Sequence, residues 1–141
     1  MDRMKLLGGV VGGLTGGVVF GVILQARGTI ATVGNLVGNE GVGVGWLTLL
    51  IVTGVLGLVY AVTFGRLEHS WGRGALLGLA HGVIWWILGV LLIQPAITGG
   101  EFFVFGEAAW FNLLGYLIYG AITGLVTNAA TQWAAEPVPS G

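Results

Sequence analysis

The chain has 141 residues, of which 55% are hydrophobic and 8% charged, with a formal net charge of -1. Soluble domains carry about 25% charged residues, so a water-facing globular surface is excluded, and near-neutrality leaves no basic footprint for nucleic acid. The absence of cysteine removes disulfides, thiolate catalysis, zinc thiolate sites and iron–sulfur clusters from its chemistry.

The first apolar run covers about residues 6–26, enough at 1.5 Å per residue to cross a hydrocarbon core of roughly 30 Å. It exceeds the roughly 7 to 15 residues of a signal-peptide core, so a membrane span is expected in place of a cleaved leader. Gly9, Gly13, Gly17 and Gly21 repeat every fourth position along it. Glycine in a helix costs about 1 kcal/mol relative to alanine. In lipid, however, a helix is obligatory, and small residues at this spacing let two backbones approach closely.

A second run covers about residues 46–64, a third about 74–94, ending before Pro95, and a fourth about 108–130, followed by a short tail over 131–141. Gly74, Gly78 and Gly82 repeat the ladder in the third, and Gly120 and Gly124 form a smaller ridge in the fourth. Shifting the chain by 65 positions lays Gly9, Gly13 and Gly17 on Gly74, Gly78 and Gly82, and a shift of 64 lays Trp46 on Trp110. The expected fold is therefore a single all-α transmembrane domain, a four-helix bundle built from a duplicated two-helix hairpin with both copies in the same membrane orientation. The two longer connections, about residues 27–45 and 95–109, read as surface loops on one side of the bundle.

Arg3, Lys5, Arg66 and Arg73 flank one side of the expected spans and only Arg27 the other. The excess favours both termini in the cytoplasm of a prokaryotic cell. Arg66, Trp71 and Arg73 crowd the turn between the second and third spans, as candidates for contact with lipid headgroups or a partner subunit. Trp46, Trp110 and Trp133 fall near span ends, where aromatic rings favour the headgroup layer. Trp85 and Trp86 lie deeper and are expected against lipid or a neighbouring helix.

Every carboxylate, Asp2, Glu40, Glu68, Glu101, Glu107 and Glu136, falls outside the spans, which speaks against a buried acid/base pair. Glu101 and Glu107 read as solvated loop charges. His81 is the exception, about seven residues into the third span and roughly 10 Å from its end. An ionisable group at that depth is a functional candidate. Tyr119, Thr123 and Thr15 are the hydroxyls that could satisfy a neutral imidazole. A haem ligand is the sharper alternative, but His69 is about 18 Å from His81 if the intervening chain is helical, so one chain supplies no bis-histidine pair. No other metal site is expected. Asn112, Thr127 and Asn128, near the two ends of the fourth span, suit interhelical packing or the lining of a neutral-solute path.

The stretch from Gly78 through His81, Trp85, Trp86 and Gln94 to Pro95, then Gly99 and Leu114-Gly-Tyr-Leu-Ile-Tyr-Gly120, resembles a family of small prokaryotic four-helix membrane proteins of unknown function. The resemblance covers about residues 45–130 and implies a membrane bundle without catalytic residues. The leading expectation is a non-enzymatic subunit or accessory that packs through its glycine ridges into a larger membrane assembly, an energy-transducing complex being one candidate. Its partners would be bound lipids, other subunits or copies of itself. A homo-oligomeric channel or carrier for a small solute is the alternative, and a haem or pigment carrier using His81 is third.

Overall fold

The computed structural model describes residues 3–67 and 70–135. Asp2, Glu68, His69 and the segment from Glu136 to Gly141 lie outside the described residues. The fold is all-α, with four helical spans long and apolar enough to cross a membrane and no strand among the described residues. Helix α1 is Arg3–Arg27. The short α2, Ile30–Val33, runs into a single 3₁₀ turn at Gly34–Val37, and α3 is Val42–Thr63. Helix α4, Trp71–Trp86, continues through a π-helical segment, Ile87–Ile93, into α5, Gln94–Thr98, so the third span is one rod from Trp71 to Thr98. Helix α6 is Glu107–Ala135.

The third span thus runs past the expected stop at Pro95, and the reason is local. Proline lacks the amide that would bond to the carbonyl four residues back, and its ring crowds that oxygen. The oxygen belongs to Leu91, inside the π-helical stretch that absorbs the mismatch, and it accepts instead from the amide of Phe103 at 3.1 Å. This bond folds the 99–106 connection back onto the helix, with Phe103 held in the left-handed region at φ 54°. The fourth span also outlasts its expected end, staying helical through Ala135 where a tail was expected from 131.

The four spans form an open arc: α3 packs on α1, α1 on α6, and α6 on α4. Glycine contacts fix the directions. Carbon placed on Gly9 would strike the Gly57 carbonyl, on Gly13 that of Thr53, and on Gly21 the ring of Trp46, so α1 and α3 are antiparallel. Gly78 meets the Gly120 carbonyl and Gly124 meets that of Gly74, so α4 and α6 are antiparallel too.

A second ridge on α1 was not anticipated. Gly8, Gly12 and Gly16 face Thr127, Thr123 and Tyr119 of α6. Adjacent residues lie about 100° apart on a helix, so three Gly-Gly doublets at four-residue spacing give α1 two bare faces. It is wedged between α3 and α6 and is the most enclosed of the four spans. One end of the bundle carries the start of α1, the end of α3, the start of α4 and the end of α6. The opposite end, here the loop face, carries α2 and the 99–106 connection.

Candidate functional site

Two features lie in the gap that the arc leaves between α3 and the third span. The first is a buried polar cluster around His81. Ten residues beyond the start of α4, or about 15 Å of helical rise, His81 lies deeper than its sequence position suggested, because α4 begins at Trp71. It is buried, and its Nε2 shares a hydrogen bond of 3.1 Å with the hydroxyl of Tyr119. Tyr60 of α3 and Phe64, which follows its last turn, place their rings 5.1 and 6.1 Å from the imidazole, edge on, and Trp85 lies 6.2 Å away. The aromatic packing bridges α3 and α4 where their backbones stay apart. Tyr60 is itself fully buried, its hydroxyl directed at the Gly74 carbonyl at 3.5 Å.

Of the three expected hydroxyl partners, the structure brings only Tyr119 to His81. Thr123 is fully buried beside it, but its hydroxyl donates to the Tyr119 carbonyl at 2.8 Å, one step in a series continued by Thr127 to Thr123 and Thr131 to Thr127. Such bonds to the carbonyl four residues back satisfy a hydroxyl inside its own helix. Thr15 is exposed on α1 and bonds to the Val11 carbonyl, away from the cluster. Asn128 is buried to 1% exposure, and its side-chain NH₂ has no partner among the described residues.

The second feature is a cavity of about 200 Å³ in the loop-face half of the bundle. Phe20, Leu24, Leu49 and Phe111 make its apolar wall, Tyr116 its floor, and Arg27, Thr29 and Thr32 its upper rim. Val52 of α3 and Val90 and Gln94 of the third span stand on either side of the gap. A neighbouring cavity of about 230 Å³ reaches towards Glu101 and shares Val90, Gln94, Ala108 and Asn112 with the first. The two side-chain amides, Gln94 and Asn112, therefore sit at the boundary between the cavities. Neither has a side-chain hydrogen bond to another described residue.

Several local devices hold this end together. Gly28, in the left-handed conformation at φ 79°, closes α1 as Thr29 donates to the Leu24 carbonyl at 2.8 Å, a standard helix stop. That stop presents Arg27 to Glu107 as an ion pair and lays its guanidinium 4.0 Å over the Phe111 ring. Glu107 is thus exposed yet paired, where a purely solvated loop charge was expected. It also opens α6, where negative charge is favourable at a helix N-terminus. The indole of Trp46 bonds to Gln25, and that of Trp86 donates to the Ala109 carbonyl at 2.8 Å, which buries Trp86 against α6. Phe105 and Trp110 stack beside it with centroids 5.7 Å apart.

At the opposite end Arg66 and Trp71 are exposed, and Arg73 hooks back to the Leu67 carbonyl at 3.3 Å, stabilising the turn. Ser70 caps α4 by accepting from the Arg73 amide at 3.2 Å. The nine ridge glycines all face a neighbour within the same chain: Gly9, Gly13, Gly17 and Gly21 against α3, Gly74, Gly78 and Gly82 against α6, and Gly120 and Gly124 against α4. Sequence reasoning singled out Asn112 but missed Gln94 on the same cavities, the Arg27–Glu107 ion pair and the Tyr60–Phe64 wall. Among the described residues no three carboxylate or imidazole groups gather where a metal ion could be held. Compared with protein families, curated proteins and solved structures, the chain matches no family model, no curated protein and no solved structure, so no role transfers from a relative.

Proposed function

We propose that this is a non-enzymatic integral membrane protein that binds or carries a small solute through the cavity at its loop face. The carrying observation is the pair of unpartnered amides, Gln94 and Asn112, on a mostly apolar hollow between two spans that do not close on each other. Gln94 is exposed and Asn112 half-buried, so both amides are free to meet a ligand, and a mostly apolar concavity with a few converging polar groups is the usual form of a small-molecule site. Beneath it, Tyr116 and Tyr119, with centroids 6.5 Å apart, lead to His81, so the polar groups continue into the bundle.

The test is a thermal-shift screen of small solutes against the wild type and a Val90→Phe variant that fills the hollow. A ligand at one hundred times its dissociation constant adds about 2.7 kcal/mol of stability. At least one compound should stabilise the wild type and not the filled variant. If every stabilising compound acts equally on both, the reading fails.

The subunit reading stands second, on a different observation. Helix α3 packs on α1 and turns outward an apolar row, Leu47, Ile51, Val55, Leu58 and Val62, all exposed. That row, together with the exposed Leu7, Val11, Leu14, Val18 and Val22 of α1, and not the glycine ridges, is surface left for another subunit, another copy of the chain or bound lipid, because the ridges are occupied inside the chain. Recovery of a stable hetero-complex from native membranes by mass spectrometry would favour it. A haem or pigment at His81 would require displacing Tyr119 from Nε2 and opening the aromatic wall; a Soret or pigment band in the purified protein is the observation that would support it.

The duplicated-hairpin reading draws support from two parallels. Gly21 meets Trp46 at the loop face of the first hairpin, while Trp86, 65 positions after Gly21, stacks on Trp110 in the second, with centroids 5.6 Å apart. Gly16 and His81, also 65 apart, both face Tyr119. We place the protein in a prokaryotic cytoplasmic membrane with both termini in the cytoplasm, on the balance of four positive residues against Arg27.

A further inference from the structure

We infer that the loop-face cavity takes an uncharged, membrane-soluble molecule whose head is a single carbonyl-bearing ring and whose apolar tail leaves sideways between α3 and the third span. The inference rests on the cavity reading above and adds the chemical class of the ligand.

Size comes first. An apolar cavity of about 150 Å³ accommodates benzene, so about 200 Å³ holds one substituted ring but not a long chain in addition. The tail must lie elsewhere, and the arc supplies the place. Val52, at 37% exposure, and the exposed Gln94 mark the two edges of the gap, so the opening between them faces the bilayer.

Charge is the second constraint. Among the described residues Arg27 is the only charged one on the wall of this cavity, and it is already paired with Glu107 and stacked on Phe111. An anionic head would have to displace a carboxylate, and a cationic head would meet a guanidinium without a free counter-charge. A neutral head disturbs neither partner.

Hydrogen-bonding capacity is the third. The threonine hydroxyls at the rim already donate to backbone, Thr29 to the Leu24 carbonyl and Thr32 to the Thr29 carbonyl. The donors left are the NH₂ groups of Gln94 and Asn112, with the Tyr116 hydroxyl at the floor, which has no hydrogen bond to a described residue. Donors from two elements, Gln94 of the third span and Asn112 and Tyr116 of α6, around a ring-sized hollow suit a ring that carries more than one carbonyl oxygen. The membrane quinones have this form.

Decylubiquinone is the probe, with dodecanol and dodecanoate as comparison amphiphiles, on full-length protein in nanodiscs and read by saturable thermal stabilisation. Decylubiquinone should bind the wild type more tightly than either comparison. The Gln94→Leu/Asn112→Leu double variant should weaken it by roughly tenfold, as expected for loss of two neutral hydrogen bonds. Val52→Trp, at the lipid-facing mouth where a large side chain has room, should abolish it. Circular dichroism and the probe-free Tm of each variant report whether it is folded.

Tighter binding of dodecanoate or dodecanol, lost in Val52→Trp, would overturn the ligand class and leave the cavity reading intact. Quinone binding blocked by Val52→Trp but indifferent to the amide substitutions would overturn the assignment of Gln94 and Asn112. If no probe distinguishes wild type from Val52→Trp, the ligand class is overturned, and the Val90→Phe screen decides the cavity reading separately.

Discussion

At the scale of single residues, the most constrained group is His81. An imidazole in the middle of a membrane span needs a partner, and among the described residues only the Tyr119 hydroxyl reaches its Nε2, at 3.1 Å. Interhelical hydrogen bonds in membranes average about 0.6 kcal/mol, with a maximum near 1.7, while a buried group left unpaired costs about 1–3 kcal/mol. Tyr119→Phe keeps the ring and removes only the hydroxyl, so it should lower stability by about 1 kcal/mol, measured by denaturant titration in micelles. No change would show that the bond contributes nothing to the fold. Depth and residue type made His81 legible in the sequence, as they did its three candidate partners. Choosing among them was not possible there, because Thr123 and Tyr119 lie one turn apart on the same face of α6, and only the axial register of α6 against α4 decides which hydroxyl reaches the imidazole. Asn128 was visible as a polar residue near a span end, but whether its NH₂ finds a partner depends on packing.

At the scale of elements, glycine spacing carries most of the architecture. The two contact faces of α1 are written in its doublets, Gly8-Gly9, Gly12-Gly13 and Gly16-Gly17. Reading every fourth glycine as one ridge found the face towards α3 and missed the face towards α6. The ridges also make a sharp distinction between positions. A methyl at Gly78 would overlap the Gly120 carbonyl, whereas Gly72, on the same helix, has open space. Gly78→Ala must therefore push α4 and α6 apart and should destabilise by about 1–3 kcal/mol, the usual range for overpacking. Gly72→Ala should be neutral or stabilise by up to about 1 kcal/mol by restricting the unfolded chain. Thermal unfolding of the two variants in detergent checks the contrast, and equal effects would refute the packing of α4 on α6. Pro95 shows the opposite limit of legibility. Its missing amide is plain in the sequence, but the π-helical detour and the Phe103 amide that takes up the Leu91 carbonyl are tertiary outcomes, which is why the span was expected to stop where it continues.

At the scale of the whole molecule, the four spans were legible from apolar length, but the arc was not. Hydropathy gives lengths and cannot say that α3 and α4, joined by a short turn, would meet through Tyr60, Phe64 and His81 and leave a hollow at their other ends. Orientation decides which compartment that hollow serves. Arg3, Lys5, Arg66 and Arg73 lie at the end away from the cavity, and Arg27, at the loop face, is neutralised by Glu107. Positive charge is retained on the cytoplasmic side, so the cavity should lie in the outer leaflet. The absence of cysteine makes the test direct. Single variants Glu40→Cys, between α2 and α3, and Leu67→Cys, in the turn before α4, are both at exposed positions. A membrane-impermeant maleimide should label Glu40→Cys in intact cells and Leu67→Cys only after permeabilisation. The reverse pattern would place the cavity in the cytoplasmic leaflet, where its ligand would exchange with the inner half of the bilayer, and would show that four positive residues do not set the topology of this chain.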